Sequence, residues 1–326
     1  MTTKPTKTLL TAVCTLICTA AAAQSFPSKP ITLLVGFPPG GGADSVARVI
    51  SEKLGNELGQ PIIVENKPGA GTTIASDLAA RAAPDGHTLL LATVSLNGSD
   101  QLLYKSVRYT ADKHFTPITR WAYSPMLIGV REKFPEKDVK SLVEHARKNP
   151  AKLSYSSSGA GVITHLAGAS FENAFGIEML HVPYKGGAPS IQAVAAGDVD
   201  MTFGTPPSVL PLAQAGKIRL LGVTTAERSP LFPELPSMKE AGLPDFNFTI
   251  SYNLYGPAGM PDDVVKKIFD ASTKVLNDPE VKARLEKQGN LASPSQSPAQ
   301  FKAWAADEGK KYLAITQAAT KNGAAQ

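Results

Sequence analysis

Apolar residues in this chain fall into short dense runs that alternate with longer stretches where they recur every three or four positions. Residues 31–36 form one dense run, which predicts a buried strand. Residues 44–58 carry Val46, Ile50, Leu54 and Leu58 at a spacing that puts them on one face of a helix. A strand over 61–64, a helix over 72–82 closed by the Asp85-Gly86 turn, and a strand over 88–92 follow. This alternation predicts an α/β unit with a mostly parallel sheet.

A second alternating set begins with a strand over 126–130. The helix over 138–148 is carried by Val139, Leu142, Val143 and Ala146. Strands over 153–156, 179–182, 199–203 and 218–224 are expected, with helices over 164–175 and 188–196 between them. After a strand over 248–254 the character changes. Gly256-Pro257 and Pro261-Asp262 signal a helix start. Val264, Val265, Ile268, Phe269 and Leu276 form its face, and two more helices are expected over 280–288 and 298–316. No repeat or low-complexity linker appears, so two lobes would be joined by tight strand crossovers. The helical tail would pack back on the first lobe.

The amino terminus changes the picture. Lys4 and Lys7 precede an uncharged run over 9–23 that ends in four alanines, which predicts a signal peptide over 1–23 cleaved before Gln24. The run is too short and too weakly apolar to span a bilayer. Cys14 and Cys18 lack the small preceding residue of a lipoprotein site, and both lie inside this segment. The mature chain therefore has no disulfide and no thiolate chemistry, and its stability must come from core size. Without the two lysines, the 33 basic residues become 31 against 28 acidic, a formal charge of +3. The basic residues are scattered, with no arginine cluster or basic stripe, which argues against a nucleic-acid partner.

Candidate chemistry gathers at two loops. Phe37, Pro38, Gly40, Gly41, Gly42, Asp44 and Ser45 lie where a strand ends and a helix starts. Glycines permit close backbone approach, and a helix start offers unpaired N–H groups to an anion. A tight turn without ligand is the alternative. The Walker ending Gly-Lys-Ser/Thr is missing, and Ser45 takes the last glycine place of a dinucleotide fingerprint. Ser157, Ser158, Gly159, Ala160 and Gly161 form a similar loop before the helix that holds Thr164 and His165. Hydroxyls and amides together can hold a carboxylate without a full positive charge. Thr93 and Ser95 end the third strand and are placed to line the same cleft. Lys185, in the loop over 182–187, either attracts an anion or is simply solvated. The five histidines show no metal-ligand spacing, so no metal or cofactor is expected. An enzyme reading would need a pair such as Ser158 with His165 or His181, which no spacing recommends.

Further strings form a recognisable pattern. They are Phe26-Pro27 leading to Lys29-Pro30-Ile31, the loop 36–44, Leu58-Gly59-Gln60-Pro61, and the run from Val64 to Gly71. Ala83 to Gly86, Ser156 to Gly168, His181 to Gly186, Ala196 to Asp200, Arg228-Ser229-Pro230 and Leu235-Pro236 continue it. In these the chain resembles the tripartite tricarboxylate transporter substrate-binding proteins, the TctC or Bug family of periplasmic receptors, over nearly the whole mature length. The resemblance implies a two-lobed Venus-flytrap of the type II periplasmic binding protein class. Lobe 1 would hold 26–123 plus 253–326, and lobe 2 would hold 124–252. It implies a periplasmic monomer, without enzymatic activity, that clamps a di- or tricarboxylate or an aromatic acid between the two loops. It would deliver this solute to the membrane subunits of a tripartite transporter. The alternative is an exported enzyme acting on a small carboxylate or ester with the same scaffold. Two departures matter. Gly204-Thr205-Pro206 stands where many relatives have aspartate and asparagine, which favours a plain carboxylate over an amino acid and places Thr205 at the site. Pro39 stands where several relatives have alanine, which removes an amide donor.

Overall fold

The structure is a computed structural model that describes residues 26–321. The expected signal peptide lies outside the described residues. Two sheets organise the chain. The first contains β1 (Ile31–Val35), β2 (Ile62–Asn66), β3 (Thr88–Ala92), β4 (Phe115–Pro125), β10 (Thr249–Pro257) and β11 (Leu291–Ala292). The second contains β5 (Leu127–Arg131), β6 (Ser154–Ser157), β7 (Leu180–Pro183), β8 (Met201–Gly204) and β9 (Ile218–Val223). Their spatial orders are β11-β4-β10-β3-β1-β2 and β7-β6-β8-β5-β9.

The strands over 31–92, whose alternation predicts a mostly parallel sheet, are parallel, but each complete sheet is mixed because later strands join it antiparallel. β1 runs parallel to β2 and β3, and β6 runs parallel to β7 and β8. The remaining pairs, β10 with β3 and β4, β11 with β4, and β5 with β8 and β9, are antiparallel. The cause is the crossing between sheets. β4 carries the chain out of the first sheet and β10 carries it back, so the two run side by side in opposite directions. β4 escaped the sequence reading because Pro117 and the polar Thr116, Thr119 and Arg120 interrupt its apolar pattern. The helix Pro206–Gln214 escaped because prolines 206, 207 and 211 read as breakers, although proline at a first helical position leaves nothing unpaired.

Local causes set the rest. In Gly42–Leu58 the buried Val46, Ala47, Ile50, Leu54 and Leu58 face inward, and Gly59 at φ 80° ends the helix. Val139–Lys148 starts at a reciprocal capping box between Asp138 and Ser141. The largest buried cluster runs from Leu33 and Val35 through Met126, Phe248, Ile250 and Tyr312 to Tyr155 and Phe203. Apolar packing is therefore continuous through the crossing. The last helix, Pro298–Lys321, packs on β4 as the tail pattern suggested, and also reaches Ile163–Phe175 of the second sheet's layer. No helix among the described residues is long and apolar enough to cross a membrane.

Candidate functional site

Four helices point their starts at one small cavity. They are Gly42–Leu58 from the first sheet's side, and Ile163–Phe175, Gly187–Ala196 and Pro206–Gln214 from the second's. In none of the four does a side chain cap the first turn. The first three starts carry unpaired N–H groups; the fourth opens on Pro206-Pro207, which have none, and its Ser208 and Val209 N–H groups bond the Thr205 carbonyl, so it adds only the Thr205 hydroxyl and its axial dipole. With a partial charge of roughly +0.5 at each start, together they favour an anion. The cavity, about 20 Å³, is lined by Gly41, Gly42, Ser158, Thr164, Gly187 and Thr205 among others. That is room for about one water. Phe37 and Ser158 also line a neighbouring outer chamber of about 220 Å³, walled by Pro38, Thr72, Tyr104, Gly159, Ala160 and Tyr184 among others. Among the described residues, no charged side chain lines the inner cavity, and Lys185 is the only one in the outer wall.

The two halves already touch across this space. The Tyr104 hydroxyl donates to the Ala160 carbonyl at 2.9 Å. A Cβ on Gly186 would meet the Pro38 ring at 2.6 Å, and one on Gly161 would overlap Leu103. A Cβ on Gly42 would stand 2.1 Å from the Tyr252 hydroxyl oxygen and 3.2 Å from Thr205 Cβ. Glycine at 42, 161 and 186 is thus a condition of closure.

Sequence-predicted residues divide into a lining set and a supporting set. Phe37, Pro38, Gly41, Gly42, Ser158, Gly159, Ala160, Thr164 and Thr205 line the two spaces. Gly40, Asp44, Ser45, Thr93, Ser95, Ser157 and Gly161 do not. Asp44 turns its carboxylate back on its own loop. It accepts from Gly40 N–H at 3.0 Å, Asn66 Nδ2 at 2.9 Å and Arg48, while Asn66 also donates to the Phe37 carbonyl. Burial alone would raise its pKa, but the bonds from Arg48, Gly40 and Asn66 outweigh this and hold it low. Asp44 therefore holds the first loop in shape as an anion of the protein itself. Ser45 bonds Gln288 Oε1, and Thr93 bonds Ser95, next to the buried Asp100.

Ser157 is fully buried, with its hydroxyl 2.7 Å from His181 Nε2. His181 stacks on His165 at 4.0 Å and on Tyr155 at 4.9 Å. Burial, with His165 adding to it, pushes His181 down to about 3, so it stays neutral. Gly161 N–H donates to His165 Nδ1 at 2.9 Å. The two rings anchor the second loop from behind. Ser157 with His181 is no nucleophilic pair, because the serine does not reach either chamber. Ser158 does reach both, but its hydroxyl pairs with Thr164 Oγ1 at 2.7 Å rather than with a histidine.

Residues that the sequence reading missed include Ile163, Gly187, Ser190, Ile250 and Tyr252. Gly187 and Ser190 had a usable signal, since Gly186-Gly187 repeats the strand-to-helix glycine pattern of the first loop. Tyr252 had none, for it sits inside a strand of ordinary apolar character.

Comparison with known proteins agrees with this geometry. Residues 46–320 match the tripartite tricarboxylate transporter family receptor, TctC. A UPF0065 protein from the tcbD–tcbE intergenic region of Pseudomonas sp. strain P51 is 39% identical over 82% of this chain and 79% of its own. The solved structure of R. palustris Rpa4515 with adipate is 30% identical, covers 90% of this chain and 98% of its own, and superposes with a TM-score of 0.87. MatC from Rhodopseudomonas palustris with bound malate is also 30% identical, with a TM-score of 0.83 over 89% of this chain and 100% of its own. The fold is the two-lobed one of periplasmic solute-binding proteins, and the protein is a binding receptor rather than an enzyme. The chain belongs to the tripartite tricarboxylate transporter receptor family, TctC.

Proposed function

We propose that this protein is a periplasmic receptor that captures a small organic carboxylate between its lobes and hands it to the membrane subunits of a tripartite transporter. The observation that carries this reading is the convergence of four uncapped helix starts on a cavity without a charged side chain. A carboxylate fits such a lining because amides and hydroxyls can meet each of its oxygens. An ammonium group would find no counter-charge, since among the described residues no Asp or Glu lines either chamber. That supports a plain di- or tricarboxylate or an aromatic acid over an amino acid. Relatives with bound adipate and malate support the same class.

The lobes of this reading are 26–123 with 253–326, and 124–252, hinged where β4 passes to β5 and where β10 begins. Capture would proceed by hinge closure of the monomer around the solute. The sequence pattern over 1–23 supports export.

Calorimetry and thermal unfolding of the mature protein against adipate, malate, citrate, benzoate and the matching methyl esters test this. A bound carboxylate at about a hundredfold over its Kd stabilises the fold by roughly 2.7 kcal/mol, and the ester does not. Equal response to acid and ester, or no response to any acid, would refute the proposal.

A further inference from the structure

The phenol of Tyr252 is placed as no structural role requires. It comes from β10, the strand that returns from the second lobe. There the register against β4 slips, with Tyr252 opposite Ala122 and Asn253 opposite Arg120, so Trp121 is the extra residue. Such a bulge re-aims side chains. The Tyr252 ring is fully buried, and its hydroxyl reaches the start of Gly42–Leu58, opposite Thr205 of the second lobe. Three elements thus meet at one point of the inner cavity: a first-lobe helix start, the crossing strand and a second-lobe helix start.

The hydroxyl at that point makes no hydrogen bond of good geometry. Its neighbour Ser124 donates instead to the Pro125 carbonyl at 3.0 Å. An unpaired buried hydroxyl is costly, and phenylalanine would fill the same space without that cost. Burial raises the pKa of the phenol, so it keeps its proton at any physiological pH.

We propose that Tyr252 is a ligand-binding residue whose hydroxyl donates to one carboxylate oxygen of the solute, together with first-turn N–H groups of Gly42–Leu58 and the Thr205 hydroxyl. The inference rests on the carboxylate reading above and adds the residue that ties it to closure. One ligand oxygen bonded by both lobes and by the strand between them stabilises the closed form over the open one. The subsite is specific for an acceptor, because the N–H groups around it have nothing to accept with.

The test is Tyr252→Phe in the whole mature chain, titrated with adipate and malate, with unfolding of the ligand-free protein measured in parallel. The affinity for whichever acid binds the parent falls between about ten- and a hundredfold, the range of a lost bond to a charged group. The ligand-free melting temperature stays level or rises, an outcome that a structural hydroxyl would not give. A cycle with Thr205→Val is non-additive if both hydroxyls meet the same oxygen. An unchanged affinity in Tyr252→Phe would overturn the inference alone. So would a lower ligand-free melting temperature with unchanged affinity, which would assign the hydroxyl to Ser124. A parent that responds to no carboxylate would remove the reading on which the inference rests, and the inference with it.

Discussion

Replacing Gly42 with alanine is the sharpest test of how the cleft closes. The new methyl group would lie 2.1 Å from the Tyr252 hydroxyl oxygen and 3.2 Å from Thr205 Cβ. Carbon and oxygen need more than 3 Å, so something must move by roughly 1 Å. Tyr252 is fully buried and held in β10, so it has little room to yield. Thr205 lies on the second sheet's side, so its contact is relieved if the cleft opens, whereas the Tyr252 contact must be relieved by a shift of the ring or of the helix start. An overpacked contact costs about 1–3 kcal/mol, and the share that closure carries lowers affinity, by at most roughly 5- to 150-fold. The adjacent Gly41 is the control. Its φ is −85°, and a Cβ there would find only the Pro38 carbonyl at 3.7 Å. Gly41→Ala should leave the ligand-free fold unchanged, since no protein atom stands in the way of its methyl group. Calorimetric titration with the best-binding carboxylate measures both variants, and small-angle scattering with saturating ligand reports closure. If Gly42→Ala binds like the parent, or if Gly41→Ala destabilises the ligand-free fold more than Gly42→Ala does, the account of this helix start is wrong.

Two further outcomes follow from the chemistry of single groups. Burial pushes the Asp100 carboxyl up to about 6, against bonds from Tyr109 and Ser95 that act the other way. The folded chain therefore keeps a proton that the unfolded chain releases above the ordinary 3.8, and stability from this group is lost as pH rises from about 4 to 6. Asp100→Asn removes that loss, so its stability relative to the parent should improve by roughly 3 kcal/mol between pH 4 and pH 7 in urea unfolding. A difference that stays flat with pH would refute it. At the site, Ser158→Ala removes a hydroxyl that lines both chambers and should weaken binding about 3- to 10-fold. Lys185→Ala should weaken it less, because that lysine is exposed and screened. The reverse order in titration would move the anion to the outer chamber.

The strand and helix order was legible because each element carries its own local cause. Val46, Ile50, Leu54 and Leu58 mark a helix face without reference to anything distant, and 88–92 was read to its observed bounds. Where a local signal misleads, the reading fails. Prolines hid the helix Pro206–Gln214, and polar residues hid the long β4. Both glycine loops were legible as strand-to-helix loops beside one cavity, since glycine before a helix start is itself the local feature. Their division of labour was not. Asp44 and Ser157 are as polar as Ser158, yet the first two bond inward to Arg48 and His181 while the third faces the cleft.

From the amino-acid sequence alone came the α/β class, the lack of any cysteine after Cys18, the two glycine-rich strand-to-helix loops proposed to hold an anion, and the family resemblance. All are properties of residues near one another in the chain. Only the tertiary structure decided that four helix starts share one cavity and that Gly42 must lack a side chain because Tyr252, far along the chain, stands against it. It also decided that β4 and β10 run antiparallel, through the direction in which the chain crosses between sheets. Such facts depend on which distant segments are brought together, and no local periodicity encodes that.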